Sequence, residues 1–182
     1  MTRSILLTTQ SYDQGRAIPF GFLLQVDESN GYVISKLKID TPIKGSKRMK
    51  PGLRGIYFWN DRYYVASWNA VHIIDSQLMS IERSISHKFM SDLHGIYVDN
   101  EGVWVTSTLN DSLQLYDFVG NLIKVFWISE SKVYKEPVEV DKTLDWRFVG
   151  KDFRGFKSFH ANNVSLKGNS IYLTGRSNGR SR

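Results

Sequence analysis

Apolar residues in this chain fall in short runs rich in β-branched and aromatic side chains. Gly, Asn and Asp break the runs at close intervals, the punctuation of strands and tight turns. No long window carries apolar residues at helical spacing. The runs group into four units. The first reads as strands at 5–9, 22–27 and 32–39, the last two joined by Asn30-Gly31, a strong hairpin signal. The second predicts strands at 55–59, 63–68, 71–75 and 80–86, and the third at 95–99, 103–108, 112–117 and 122–129. A fourth begins at 162–166 and 171–174.

The second and third units are copies of one pattern. Leu53-Arg54-Gly55-Ile56 returns forty residues later as Leu93-His94-Gly95-Ile96, and Tyr64-Val65-Ala66-Ser67 returns as Trp104-Val105-Thr106-Ser107. The following run ends in Ile73-Ile74-Asp75 in one copy and Leu115-Tyr116-Asp117 in the other. Repeats of this length built from short strands mark β-propeller blades. The expected fold is therefore all-β, with blades of four antiparallel strands, two of them complete at 54–86 and 94–129. In this register the first unit lacks its innermost strand and the last lacks its two outer strands, so the ring is incomplete. Open blade edges would leave unpaired backbone and apolar surface. They predict a fragment of a longer propeller, a truncated product, or a half that self-associates.

Residues 130–159 interrupt the blade pattern inside what reads as a single domain over 1–182. Connections of this length are often lids or binding loops; a mobile insertion without function is the other reading. The segment holds Glu136, Glu139, Asp141, Asp145, Trp146 and Arg147.

Propeller geometry turns the repeat into a site prediction. Taking Ile56, Ile96 and Val164 as equivalent places Arg54, His94 and Asn162 at the mouths of three innermost strands. The loops joining second to third strands would bring Asn69, Asn110, Asp111 and Asn178 to the same face. A ring of such side chains is a plausible polar pocket. Arg54 could clamp a carboxylate or phosphate, or serve as a solvated rim residue. His94 and His160 could bind metal or act as bases, or simply bond a nearby carbonyl. Asn110-Asp111 could ligate a hard cation through oxygen, and is also good turn chemistry. Ser67 and Ser107 lack a nucleophile-elbow context. No phosphate-cradling glycine loop or EF-hand spacing is present.

Charge and composition narrow the classes. The net charge is +6, with no cysteine. A disulfide framework, a thiolate nucleophile and a Cys-type zinc site are therefore excluded. Residues 151–182 hold seven basic residues against Asp152, so the excess sits there. A second basic cluster is Lys44, Lys47, Arg48, Lys50 and Arg54. Such clusters can contact nucleic acid, though a charged loop and a solvated terminus explain them as well. No run reaches membrane-spanning length, and the apolar start is too short for a signal peptide, so a cytoplasmic protein is expected.

The stretch from His94 to Ser107 resembles the inner hairpin of six-bladed propellers of the NHL, senescence-marker/gluconolactonase and TolB-like type. His160-Ala161-Asn162-Asn163-Val164, followed by Ile171-Tyr172-Leu173-Thr174, is similar to their blade-opening His-x-Asn pattern. The resemblance covers roughly 54–128 and 160–176. In lactonase members, Asn, Asp and Glu side chains hold a divalent cation, commonly calcium. The resemblance thus implies Asn162 as a ligand and Asp111 or Asn110 as a weaker one. The family's N-terminal Glu has no counterpart before Ile5, and His94 stands where a ligand Asn is expected.

The leading reading is a binding module whose axial face takes a small molecule or a protein. A metal-dependent lactonase or esterase is the alternative, and an RNA-binding NHL-like propeller the second alternative.

Overall fold

The computed structural model describes residues 3–10, 12–13, 16–17, 19–41, 52–132, 137–149 and 159–176. Sheet one holds β1 (Ser4–Thr8), β4 (Phe20–Asp27) and β5 (Val33–Asp40), paired in the order β1-β4-β5. A small separate hairpin, β2 (Tyr12–Asp13) and β3 (Arg16–Ala17), sits in the connection from β1 to β4. Two-residue strands leave no periodicity, which is why the sequence pattern did not predict them.

Two four-stranded antiparallel meanders follow. One runs β6 (Ile56–Trp59), β7 (Arg62–Ala66), β8 (Val71–Asp75) and β9 (Ser80–Ile85). The other runs β10 (Leu93–Asp99), β11 (Gly102–Ser107), β12 (Ser112–Tyr116) and β13 (Leu122–Trp127). The last sheet is the pair β14 (Ala161–Lys167) and β15 (Ser170–Gly175). The repeat register holds: Ile56 faces Val65, Ile96 faces Val105, and Val164 faces Leu173 across their hairpins. This is the expected set of two complete and two partial blades.

The middle strands of the second and third sheets are apolar on both faces because each of those sheets lies between two neighbours. Successive side chains of a strand point to opposite faces. On β7, Tyr63 and Val65 pack with Leu23 and Ile39 of sheet one, while Tyr64 and Ala66 pack with Ile96, Val98, Val103 and Val105 of the third sheet. On β11 the same alternation sends Trp104 the other way, against Leu113, Leu115 and Val164. The core is thus three inter-blade layers. Each buried aliphatic or aromatic side chain contributes roughly 1.5–3 kcal/mol.

The innermost strands approach closely where they begin. A Cβ on Gly55 would overlap the carbonyl oxygen of His94, and one on Gly95 would lie 2.6 Å from Cα of Asn163. Glycine is required at both positions by the neighbouring backbone.

The described residues 137–149 fold back against the loop between β9 and β10. Val140 and Trp146 bury against Phe89 in the loop between β9 and β10. The Trp146 backbone N donates to Lys88 O at 2.7 Å, and its indole N donates to Asp141 O at 2.9 Å. A short 3₁₀ turn, Trp146–Phe148, is capped by the Asp145 carboxylate.

Candidate functional site

The site grows from one recurring backbone step. Counting back four residues from Ile56, Ile96 and Val164 reaches Gly52, Asp92 and His160. All three have positive φ, at 108°, 52° and 53°. Left-handed backbone suits Gly and is less rare for Asp and His than for other side chains. The step turns the chain into each innermost strand and buries the next residue, Leu53, Leu93 or Ala161, at 1% exposure or less. The residue after that then points into the mouth. These are Arg54, His94 and Asn162.

An open cavity of about 650 Å³ lies at these mouths, lined by Arg54, His94 and Asn162 together with His160, Gln10 and Arg176. The imidazoles of His94 and His160 meet edge to face, with centroids 5.5 Å apart. Asp92 lies behind the wall, 1% exposed. Its carboxylate accepts a charge-assisted hydrogen bond from the Arg54 guanidinium. The same oxygen is 3.5 Å from Nε2 of His94. Arg54 also stacks over the Trp68 ring, 5.6 Å from its centroid. Asp92 thereby fixes the Arg54 side chain and lies close to the His94 ring. Neither Asp92 nor Arg176 was singled out from sequence. Asp92 becomes visible once the repeat is carried four residues back from Ile96, and Arg176 is one of the seven basic residues of 151–182.

Four of the six expected binding residues, Arg54, His94, His160 and Asn162, meet at this cavity. Asn110 and Asp111 do not, which corrects their expected place on the axial face. Both are fully buried. Asn110 donates to Phe89 O at 2.7 Å and accepts from Ser112 Oγ at 2.8 Å. The Asp111 carboxylate accepts from Phe159 N at 2.9 Å. The loop tightens inward because Asp111 is itself left-handed, at φ 50°. Asn178, Glu136 and the basic residues Lys44, Lys47, Arg48 and Lys50 lie outside the described residues.

These positions do not fit a calcium ion. Among the described residues no carboxylate lines the cavity, and its wall carries two guanidinium groups. Calcium needs six to eight oxygen ligands, usually including carboxylates. No group of three or more His, Asp or Glu suited to a metal occurs among the described residues.

A serine–histidine contact does exist, but elsewhere. His72 Nε2 lies 3.1 Å from Ser67 Oγ, and Nδ1 lies 2.8 Å from Ser84 Oγ. Ser67 is 1% exposed and donates to Ala70 O. Burial holds His72 neutral by lowering its pKa to about 4. The pair is closed to any substrate and serves the blade core. Ser107 is likewise spent on the carbonyls of Phe89 and Ser91. Burial also raises the Tyr116 hydroxyl pKa far above the ordinary phenol range, so it stays a neutral donor to Gln114.

No family model and no curated protein matches the chain. Among solved structures it is similar to the WD40 domain of Pan2 from Neurospora crassa, at a TM-score of 0.50 and 13% identity, over 71% of this chain and 36% of that one. It is also similar to glutaminyl cyclase from Myxococcus xanthus, at a TM-score of 0.51 and 13% identity, over 88% of this chain and 57% of that one. The chain thus spans between about a third and somewhat over half of these structures. Likeness at this identity concerns the fold. Among the described residues no helix is long and apolar enough to cross a membrane. The chain is an all-β protein made of β-propeller blades.

Proposed function

We propose that this chain is a ligand-binding part of a six-bladed propeller of the NHL and senescence-marker/gluconolactonase type, with its ligand at the mouths of the innermost strands. The observation that carries this is the convergence of three blade-equivalent side chains, Arg54, His94 and Asn162, on one open cavity. The buried Asp92 carboxylate, which holds the Arg54 guanidinium in place at the mouth, also supports the reading. The His-x-Asn pattern at His160 and Asn162 supports the subtype. Among the described residues no strand pairs with the outer edge of β5 or of β15, which supports a ring completed by further blades or by a second copy. In this reading residues 1–182 are one partial domain, and 130–159 is an insertion between blades. The partner is a small molecule or a protein segment small enough to enter the mouth.

The lactonase-like alternative has less support, because the cavity wall is cationic and lacks described carboxylates. Screening a chemically mixed fragment library against the chain by ligand-observed NMR tests the proposal. Some hits should disappear in Asn162→Ala and persist in Lys124→Ala, a change on the outer strand β13. A library in which no hit depends on Asn162 would overturn the reading.

A further inference from the structure

The cavity wall has an uneven charge balance. The buried pair cancels the charge of Arg54 with that of Asp92, and a salt-bridged guanidinium has little field left to offer. Arg176 is different. It is exposed at the end of β15, makes no ion pair with a described residue, and lines the same cavity. Its backbone N donates to His160 O at 3.3 Å, which anchors it to the step that opens its own unit. Around it stand the amide side chains of Asn162, Asn163 and Gln10, each able to donate N–H. Two imidazoles complete the wall. The described wall therefore has one uncompensated cation, several neutral donors and no carboxylate.

We infer that the cavity selects small molecules bearing an oxyanion, a carboxylate or a phosphate, and that Arg176 is the residue that binds it. This rests on the reading of the cavity as a ligand site. A guanidinium presents paired N–H donors that match two oxygens of either group, and charge-assisted bonds of this kind are about twice as strong as neutral ones. Asn162 and Asn163 add neutral donors beside the fork, while His94 and His160 offer ring N–H or ring faces to the body of the ligand. Asp92 is a positioning residue in this scheme. By holding the Arg54 guanidinium, it leaves the ligand's charge to Arg176.

The test is calorimetric titration of the 182-residue chain with inorganic phosphate, malonate, glucose and calcium chloride. Phosphate, malonate or both should bind, and Arg176→Ala should weaken that binding roughly tenfold or more, the usual scale for a lost charge-assisted bond. Arg176→Lys should retain part of the affinity, and Lys124→Ala all of it. Because Arg176 is exposed, Arg176→Ala should melt like wild type. A preference for malonate or for phosphate identifies the oxyanion. Equal anion binding by wild type and Arg176→Ala overturns the inference. Glucose or calcium binding that depends on Asn162, with both anions silent, also overturns it but leaves the binding-module reading standing. If no probe binds, the inference falls, and the fragment screen with Asn162→Ala decides the binding-module reading separately.

Discussion

The third blade and the β14–β15 pair enter their innermost strands by the same five-residue step, yet fill it with different chemistry. In the blade it reads Asp92-Leu93-His94-Gly95-Ile96, and in the pair His160-Ala161-Asn162-Asn163-Val164. Left-handed φ at the first position and a buried second residue are common to both. The fourth position differs for a packing reason. Gly95 has the backbone of Asn163 behind it, whereas no described blade stands behind Asn163, which is exposed and tolerates a side chain. The topology therefore dictates the backbone and the glycine, and leaves the first and third side chains to function.

That comparison is open to attack at several points. The strongest blow should be Asp92→Ala, which removes one member of a buried ion pair and should cost about 3–5 kcal/mol in chemical denaturation. His160→Ala, at the equivalent but half-buried position, should cost less than about 1 kcal/mol. Near-equal losses at the two sites would show that Asp92 is not specially placed. Ile96→Ala empties part of the layer between the second and third sheets and should cost about 2–5 kcal/mol. Ile171→Ala, on the exposed face of β15, should stay within about 0.5 kcal/mol.

A third experiment contrasts the second blade with the third. His72 in β8 stands at the core position that Gln114 occupies in β12. Its folded pKa of about 4 lies below the ordinary 6.5. The unfolded chain therefore takes up a proton first as the pH falls. Stability should be intact above pH 6.5 and lost progressively down to about pH 4, by roughly 3 kcal/mol. His72→Gln should remove that share of the acid sensitivity. Parallel stability profiles for the two proteins would show that His72 is not desolvated. The smallest effect separates the fourth positions: Gly95→Ala should cost about 1–3 kcal/mol by overpacking, and Asn163→Ala almost nothing.

The blades were legible because strand runs, turn dipeptides and a fixed repeat all pointed to one register. Arg54, His94 and Asn162 were legible for the same reason, since equivalent positions in blades share a place. What escaped was whatever the repeat does not encode. Asp92 acts through a tertiary ion pair, and Arg176 through its position past the end of a strand. Asn110 and Asp111 lie away from the cavity in a hairpin whose span from Val105 to Gln114 is two residues longer than the matching span from Val65 to His72. It turns inward and spends its polar groups on Phe89 and Phe159. The insertion's docking, too, depends on Trp146 finding a hydrophobic site made by distant residues.

The Phe89 carbonyl has a mechanical consequence. It accepts from Ser107 Oγ, Asn110 Nδ2 and Gln114 Nε2, all in the third blade, although Phe89 belongs to the loop leaving the second. The adjacent Lys88 carbonyl takes the Trp146 backbone N of the insertion. This short loop is therefore a keystone: it bolts two blades and the insertion to one another through backbone oxygens that no side-chain substitution can delete. When the protein is warmed or pulled, the first sheet and the β14–β15 pair should peel away before this joint opens. Amide protons of β7, β8, β11 and β12 should then be the last to exchange, opening together as one cooperative unit.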